Sequence, residues 1–247
     1  MRILYLSQYF PPEVGATQNR AYEMARIFVS QGHQVTVLTE IPNHPSGIIN
    51  QDFRGKFIVR SEWDGIDVVR VWVKASPVKS FLNRMLFYVS YMINATIAGM
   101  YIARDTFDLI YVTSPPLFVG GAGLVIKFLR QIPMIFEVRD LWPDSAVLLG
   151  ELKNPTAISL AKKLEQTCYQ RAALIVVVTE GTRQILLRKG VPTKKVIVIP
   201  NGTNLKRYQL NVEGRENIRR NLCLENKFVV IYAGIHGIAQ GLEVIIE

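Results

Sequence analysis

The chain has 247 residues, of which 49% are hydrophobic and 20% are charged. This balance excludes intrinsic disorder and is typical of a folded protein with a sizeable core. The length is too great for one small domain and short for two complete α/β domains. The two cysteines, Cys168 and Cys223, stand far apart and outside any metal-binding spacing. They argue against a disulfide framework or a zinc site and fit a reducing cytosol.

The net charge of +9 comes from one part of the chain. Between Lys153 and Lys227 there are 15 Lys and Arg residues against 5 Asp and Glu residues, which accounts for the whole excess. A basic surface confined to one segment indicates attraction to the phosphates of a nucleotide, a nucleic acid or a membrane. Lys and Arg side chains on solvated helix faces would give the same composition.

The chain opens with a predicted strand, helix and second strand. Residues 2–7 (RILYLS) are predicted to form a strand, and residues 17–31 carry apolar side chains at helical spacing. Gly32 follows that helix, where a left-handed cap favours glycine. Residues 34–39 (QVTVLT) are the second predicted strand.

A long irregular segment comes next. Residues 41–65 are rich in Pro, Asn, His and Gly and are predicted to be a loop, and loops of that length are often functional. Residues 66–73 (IDVVRVWV) predict a strand, and residues 81–104 predict a long apolar helix. Residues 85–103 of this helix are uncharged, which is long enough for a membrane span. A buried core helix, a helix at the membrane interface and a true span all stay open.

The same alternation continues through the middle of the chain. The further predicted strands are 109–113, 134–138, 174–178 and 196–199, and the helices between them lie near 117–130, 156–171 and 180–189. Near-continuous β-branched runs separated by helices are typical of parallel strands covered on both faces. We therefore predict an α/β domain over residues 1–200 with a doubly wound, mostly parallel sheet of about seven strands.

The pattern starts again after a predicted turn at Pro200-Asn201-Gly202. A basic helix is predicted near 213–222, a strand at 228–234 (FVVIYAG) and the start of a helix at 240–247. One strand and one helix cannot bury both faces of the strand. We expect residues 201–247 to be a linker and the truncated start of a second α/β domain, and the chain to be a fragment of a longer protein.

Small and polar residues that follow the strands are the candidates for binding, since open parallel sheets bind ligands at the carboxyl ends of their strands. Gly15 and Ala16 stand at a helix N-terminus, where backbone N–H groups can approach an anion or a sugar hydroxyl. A glycine that only eases the turn is the alternative. Ser114 follows another strand and precedes two prolines, in a rigid turn that is expected to expose its hydroxyl.

Charged residues follow the strand at 134–138. Arg139 and Asp140 are adjacent opposite charges, which are costly to bury unless they are paired or used. They predict either a structural Arg–Asp pair or a substrate-facing role. Gly234 ends the strand predicted at 228–234 and Gly237 follows it, so the two could cradle a phosphate, although their spacing alone is a weak signal. No Ser/His/Asp set and no set of metal ligands emerges from the spacing.

Five stretches together resemble a known family: PPEVGATQNRAYEMARIFVSQGHQVTVLT, EVRDLWPDS, VVVTEG, VIVIPNGTN and VVIYAGIHGIAQGLE. In this order they resemble the retaining GT-B glycosyltransferases of family 4. The branch that looks most similar builds bacterial O-antigen and colanic-acid-type polysaccharides and includes N-acetyl-fucosamine transferases. The resemblance implies two facing Rossmann-like domains, the N-terminal one for the acceptor and the C-terminal one for the nucleotide-sugar. It also implies catalysis without a metal or a cofactor.

The resemblance assigns roles to residues of this sequence. Gly15 falls on the glycine loop that faces the donor phosphate and the acceptor. Arg139 and Asp140 fall on the motif at the floor of the cleft, and Gly234 and Gly237 fall on the first glycine loop of the donor domain. The residues expected to bind the acceptor are Gly15, Ala16 and Ser114. Arg139 and Asp140 are expected to be catalytic, and Gly234 and Gly237 are expected to bind the nucleotide-sugar.

The sequence departs from the family pattern at three places. Ala16 stands where many relatives have a second glycine, and Asn204 stands where the linker often has Asp. The family's basic pair and Glu-x7-Glu element, which hold the diphosphate and the donor sugar, are expected beyond Glu247. We therefore expect the fragment alone to be inactive.

These features predict a parent enzyme that moves a sugar from a nucleotide-diphosphate donor to a lipid-linked saccharide, with retention of the anomeric configuration. UDP is the nucleotide that we expect in the donor. The expected setting is cell-surface polysaccharide synthesis, in the cytoplasm or on the inner face of the cytoplasmic membrane. The alternative is a non-catalytic module that binds an acceptor or a partner chain. A sugar-nucleotide epimerase shares the architecture but not the EVRDLWPDS and PNGTN stretches. Nucleic acid is not an expected partner, because the basic segment lacks interleaved aromatic residues.

Overall fold

A computed structural model describes residues 1–78, 80–102, 107–203, 205, 209–234, 236–237 and 240–246. The chain divides into two compact units, Met1–Pro200 and Asn201–Glu247.

The first unit is built on an eight-stranded sheet. Its strands are β1 (Arg2–Leu6), β2 (Gln34–Glu40), β3 (Ile58–Trp63), β4 (Ile66–Val71), β5 (Leu109–Ser114), β6 (Met134–Val138), β7 (Leu174–Val177) and β8 (Val196–Val198). They lie in the order β3-β4-β2-β1-β5-β6-β7-β8, and only the β3–β4 pair is antiparallel. The predicted α/β, doubly wound and mostly parallel architecture is confirmed.

Helices cover both faces of this sheet. They are α1 (Ala16–Ser30), α2 (Phe81–Ile102), α3 (Phe118–Arg130), α4 (Asp144–Leu148), α5 (Pro155–Arg171) and α6 (Glu180–Arg188). Alternate residues of a strand point to opposite faces. Ile3 and Tyr5 of β1 therefore pack in the core cluster that contains α1, while Leu4 and Leu6 pack in the larger cluster with α2, α3 and α5.

Glycines let α3 lie close to its neighbours. A Cβ atom at Gly123 would stand 2.6 Å from Val112 Cγ2 of β5, and one at Gly120 would stand 2.7 Å from Cys168 Sγ of α5. Such short distances leave no room for a side chain in a close-packed interior. Gly123 therefore lets α3 lie close to β5, and Gly120 lets it lie close to α5.

Helix α2 buries only one narrow face. Its buried residues are Tyr91, Ala95, Ala98 and Gly99. The opposite face carries exposed apolar side chains at helical spacing, namely Leu82, Leu86, Ile93, Ile97 and Tyr101. Among the described residues, α2 is the one helix whose length and composition would let it cross a membrane. The interpretation as a core helix fits only the side that packs on α3 and the sheet.

The prediction of an unbroken loop over 41–65 is wrong. This segment contains β3, which forms a hairpin with β4 through Asp64 and Gly65. Both turn residues have positive φ, 50° and 75°, as in the two-residue hairpin turns that Asp-Gly favours. The Asp-Gly pair between Trp63 and Ile66 was the signal in the sequence.

The second unit contains the helices α7 (Val212–Asn221) and α8 (Glu243–Ile246). The Asn211 side chain caps α7 by accepting a hydrogen bond of 2.8 Å from the N–H of Gly214. The prediction of a strand at 228–234 is wrong, since these residues have no regular structure and Phe228 is 96% exposed. A strand needs neighbours to pair with, and the described residues of this unit form none.

Candidate functional site

The predicted residues of the first unit meet at the carboxyl edge of the middle strands. β1, β5 and β6 are parallel neighbours, so the residues that follow them emerge together. The Ser114 carbonyl accepts a hydrogen bond of 3.0 Å from the N–H of Arg139. The expectation of an exposed Ser114 hydroxyl is wrong, because Ser114 is the last residue of β5, pairs with Val138 and is only 2% exposed.

A fully buried carboxylate lies at the centre of this edge. Glu137 Oε1 accepts hydrogen bonds from Nε and Nη2 of Arg20, at 3.0 Å and 2.7 Å. The hydroxyl of Thr113 donates to Oε2 at 2.6 Å, and that of Tyr111 donates to Oε1 at 3.2 Å. Since Arg20 belongs to the second turn of α1, this pair joins the start of α1 to the end of β6.

Arg139 brings a second guanidinium group to the same carboxylate. Its Nε lies 3.9 Å from Glu137 Oε2, which is too far for a hydrogen bond. The Arg139 side chain is 10% exposed, and its Nε and Nη2 find no hydrogen-bond partner in the described part of the chain. Burial lowers the pKa of Arg139, and although Glu137 opposes this effect, Arg20 adds to it.

The charges of this cluster do not balance. Two guanidinium groups, those of Arg20 and Arg139, face the single carboxylate of Glu137. The excess positive charge lies in a poorly solvated place and carries N–H donors that point to no protein acceptor among the described residues. This arrangement has the chemistry of a phosphate or carboxylate site.

Asp140 follows Arg139 but does not pair with it. The Asp140 side chain is exposed, and its Oδ2 accepts a hydrogen bond of 3.4 Å from the Ser145 hydroxyl. The described residues show no ion pair between Arg139 and Asp140, so the Arg–Asp pair considered from the sequence is not formed. The carboxylate of Asp140 instead lies at the accessible surface of the edge.

The N-terminus of α1 adds partial positive charge to the same edge. Gly15 is the N-cap residue and Ala16 begins the helix, whose first turn carries no acidic residue. Of the described side chains, none caps this terminus. The N–H groups of the first turn and the helix dipole therefore favour an anion there.

A second polar cluster holds the loop that follows β2. Glu40 is fully buried, and its carboxylate accepts hydrogen bonds from Gln8 Nε2 at 2.8 Å and Asn43 Nδ2 at 2.9 Å. Glu13 Oε1 accepts from the backbone N–H groups of Asn43 and His44, both at 2.6 Å. Burial and the nearby Glu13 raise the pKa of Glu40 well above its usual range. No sequence pattern indicated this cluster.

The candidate glycines of the second unit form a small turn. Gly237 N–H donates to Gln240 Oε1, and the Gln240 N–H donates to the Gly237 carbonyl, both at 3.1 Å. Gly234 lies near the Tyr232 hydroxyl. Their role in binding a nucleotide-sugar stays a prediction. Within the described ranges, His, Cys, Asp and Glu side chains do not group in threes that could hold a metal ion.

Residues 15–202 match the model of the glycosyl transferase 4-like domain. The chain belongs to this family. The matched range contains Gly15, Ser114, Arg139 and Asp140 together with the paired residues Arg20 and Glu137. The carboxyl edge described above is therefore part of a glycosyl transferase 4-like domain.

One curated relative spans the whole chain. It is the WcaI protein of Escherichia coli K12, whose name assigns it to colanic acid biosynthesis as a glycosyl transferase. The two sequences are 25% identical over 252 residues, which is all of this chain and 62% of WcaI. The chain thus corresponds to less than two thirds of that relative.

Two solved structures show the same fold. HepE of Anabaena, crystallised in complex with UDP-glucose, superposes with a TM-score of 0.64 at 16% identity, over 100% of this chain and 56% of its own. Sucrose-phosphate synthase of Thermosynechococcus elongatus gives a TM-score of 0.53 at 18% identity, over 88% of this chain and 52% of its own. The fold is that of the N-terminal domain of GT-B glycosyltransferases.

Proposed function

We propose that the protein carrying this glycosyl transferase 4-like domain moves a sugar from a UDP-linked donor to a lipid-linked saccharide. The transfer retains the anomeric configuration and serves the synthesis of a cell-surface polysaccharide. The family membership, the UDP-glucose in the HepE structure and the name of WcaI support this proposal. Since the chain spans 62% of WcaI, the activity is proposed for the longer protein, and the 247-residue chain is expected to bind without transferring.

The observation that carries the proposal is the excess positive charge at Arg139. When the sugar–phosphate bond breaks, negative charge develops on the departing diphosphate. Preorganised donors in a poorly solvated site stabilise such charge strongly. Arg139 and the first-turn N–H groups of α1 are donors of this kind on the same edge of the sheet.

Asp140 is proposed to orient the acceptor. Its carboxylate lies at the surface of the same edge, where it can accept a hydrogen bond from the hydroxyl that attacks the donor sugar. Gly15 and Ala16, at the start of α1, are proposed to bind the acceptor through their backbone groups. Gly234 and Gly237 are proposed to contact the nucleotide-sugar, which is a substrate, so the scheme uses no cofactor and no metal.

The test compares the chain with the longer protein. Both are incubated with labelled UDP-sugars and polyprenyl-diphosphate-linked saccharides, and transfer, sugar release and product anomer are measured. We expect transfer with retention by the longer protein and none by the 247-residue chain. Absence of transfer from every UDP-sugar, or an inverted product, would contradict the proposal.

The variant Asp140→Asn in the longer protein tests the assigned site. Turnover should fall by at least about a hundredfold, which is the lower end of the range for a polar group that acts in the transition state, while the melting temperature should stay unchanged. A parallel fall in melting temperature would show that Asp140 is structural. Ser145→Ala is the matched control, because it removes the partner hydroxyl at 3.4 Å and keeps the carboxylate.

We propose that the protein works in the cytoplasm at the inner face of the cytoplasmic membrane. The helix α3, which packs on α2, also exposes apolar side chains, since Val125, Phe128 and Leu129 are 42%, 73% and 55% exposed. Lys127 and Arg130 of α3 supply positive charge beside them, and such a combination favours binding to anionic lipid surfaces. Both cysteines are free thiols, which suits a reducing compartment.

A further inference from the structure

A cavity of about 410 Å³ lies between the loop after β2 and the beginning of α2. Its volume is within the range of small-ligand pockets. Aromatic rings and neutral polar groups share its wall, among them Tyr9, Phe87, Tyr88, Ser46, Ser80 and Asn83. None of these residues belongs to the Arg139 cluster, so the cavity is a second place on the domain where a ligand fits.

The walls of this cavity are held in place from both sides. The loop side is fixed by Glu13, whose carboxylate bonds to two consecutive backbone N–H groups at 2.6 Å. Gly47 of this loop has a φ of 70°, and a Cβ atom there would stand 2.1 Å from the Ser76 carbonyl oxygen. On the helix side, Asn83 Nδ2 donates to Ser76 Oγ at 3.2 Å and to the Val78 carbonyl at 3.0 Å. A cavity that is already formed binds its ligand at a lower entropic cost.

The lining suits a sugar better than an anion. Its charged pair, Arg84 and Glu151, forms an ion pair of 3.1 Å and leaves no net charge. Hydroxyl and amide groups can exchange hydrogen bonds with sugar hydroxyls, while aromatic faces can pack against the apolar C–H groups of a sugar ring. This chemistry differs from that of the Arg139 cluster, which has excess positive charge.

The cavity adjoins an exposed apolar surface. Phe81, the first residue of α2, lines the cavity and is 41% exposed. Leu82 and Leu86 follow it with exposures of 66% and 39%, and Ile93 and Ile97 extend the same face of the helix. A molecule bound here would meet polar groups at one end and hydrocarbon at the other.

We propose that the cavity holds a sugar unit of the lipid-linked acceptor, and that the hydrocarbon of the acceptor runs along the exposed face of α2. This inference rests on the proposed transferase function and specifies where its acceptor binds. Tyr9, which lines the cavity, lies in the segment that joins β1 to α1, and this segment follows β1 at the carboxyl edge of the sheet.

The test is a titration of the 247-residue chain with octyl glycosides below their micelle concentration. The panel contains the octyl and methyl β-glycosides of glucose, galactose, N-acetylglucosamine and fucose, with octyl sulfobetaine as the sugar-free control. At least one octyl glycoside should bind at least about tenfold more tightly than its methyl glycoside, because burying two methylene groups is worth roughly that factor. Octyl sulfobetaine should not compete.

Two pairs of variants locate the site. Ser46→Trp fills the cavity and should weaken glycoside binding at least about tenfold. Ile48→Trp places the same indole ring at an exposed position of the loop outside the lining and should leave glycoside binding unchanged. Leu82→Glu should remove the advantage of the octyl chain. Ile97 lies about 22 Å farther along the helix, out of reach of an eight-carbon chain. Ile97→Glu should therefore leave the advantage of the octyl chain unchanged. Melting curves confirm that each variant folds.

Several results would overturn the proposal. They are the absence of binding to every glycoside, equal binding of octyl sulfobetaine, and unchanged affinity in Ser46→Trp. The titration uses no nucleotide-sugar, so failure of the longer protein to transfer a sugar is a separate result. Conversely, a longer protein in which Ser46→Trp leaves the acceptor KM unchanged would reject this cavity and keep the transferase function.

Discussion

Arg20 and Arg139 face the same carboxylate, yet their removal should have different effects. Arg20 makes two short hydrogen bonds to Glu137, while Arg139 makes none to it. We predict that Arg139→Gln leaves the melting temperature unchanged or raises it, because it removes an excess buried charge. The affinity of the chain for pyrophosphate should fall about tenfold, since hydrogen bonds to charged groups contribute about 1.5–3 kcal/mol. Calorimetric titration at low salt and thermal melting measure the two effects.

The matched control is Arg26→Gln. Arg26 lies on α1 and pairs at 2.7 Å with Glu23, and both side chains are exposed. This change removes the same unit of charge far from the carboxyl edge and should leave the affinity for pyrophosphate unchanged. An equal loss of affinity in both variants would mean that net charge, and not the position of Arg139, holds the anion.

The location of a site residue could be predicted from the sequence only where the residue directly follows a predicted strand. Arg139 and Asp140 directly follow an apolar run, so their position at the carboxyl edge could be predicted. The pairing of Arg20 with Glu137 joins residues 117 positions apart, and only the order of the parallel strands brings them together. The glutamate inside the run MIFEV was itself a signal, because a buried carboxylate needs a partner.

Helix α3 should tolerate no side chain at its closest approach to the sheet. We predict that Gly123→Ala destabilises the first unit by about 1–3 kcal/mol, the usual effect of forcing an extra methyl group into a packed interior. The neighbour is Val112 Cγ2, which belongs to a strand and cannot move away easily. Urea unfolding followed by circular dichroism measures the change.

Gly181→Ala provides the comparison for that prediction. Gly181 lies in the first turn of α6, and a Cβ atom there would meet Thr179 Oγ1 at 3.8 Å, an ordinary contact. This variant should be neutral or more stable by up to about 1 kcal/mol, since alanine favours helix over glycine. If both variants destabilise equally, backbone entropy and not close packing explains the glycines of α3.

Strands and helices could be predicted where the residues of the segment itself carry a characteristic apolar pattern. The parallel strands β1, β5, β6 and β7 carry near-continuous apolar runs, and the helices between them show their own periodicity. Strand β3 was missed because its side chains are mostly exposed and its existence depends on pairing with β4. The run FVVIYAG was wrongly predicted as a strand for the converse reason, since local preference cannot supply a partner strand.

At the scale of the whole domain, one face should bind lipid and the other should not. We predict that the chain floats with vesicles that contain phosphatidylglycerol at low salt, and less so at high salt, because salt screens its attraction to anionic lipids. Ile93→Glu combined with Ile97→Glu should abolish flotation, since both residues lie on the exposed face of α2, at 50% and 61% exposure. Density-gradient centrifugation measures the bound fraction.

Ile27→Glu is the control on the opposite face of the sheet. Ile27 belongs to α1 and is 49% exposed, so it matches the α2 positions in residue type and exposure. Flotation should be unaffected by this change. Vesicle binding that survives the double substitution on α2, or that is lost equally with Ile27→Glu, would reject α2 as the membrane-binding face.

The hairpin strand β3 also determines how this sheet ends. It presents exposed, charged side chains such as Arg60, which is 67% exposed and paired with Asp67, and Glu62. The other outer strand, β8, has only three residues. Outer strands that are charged or short are poor templates for aggregation through strand addition. Neighbouring molecules in a concentrated solution will therefore meet this sheet through its helices, and its edges will not seed fibrils.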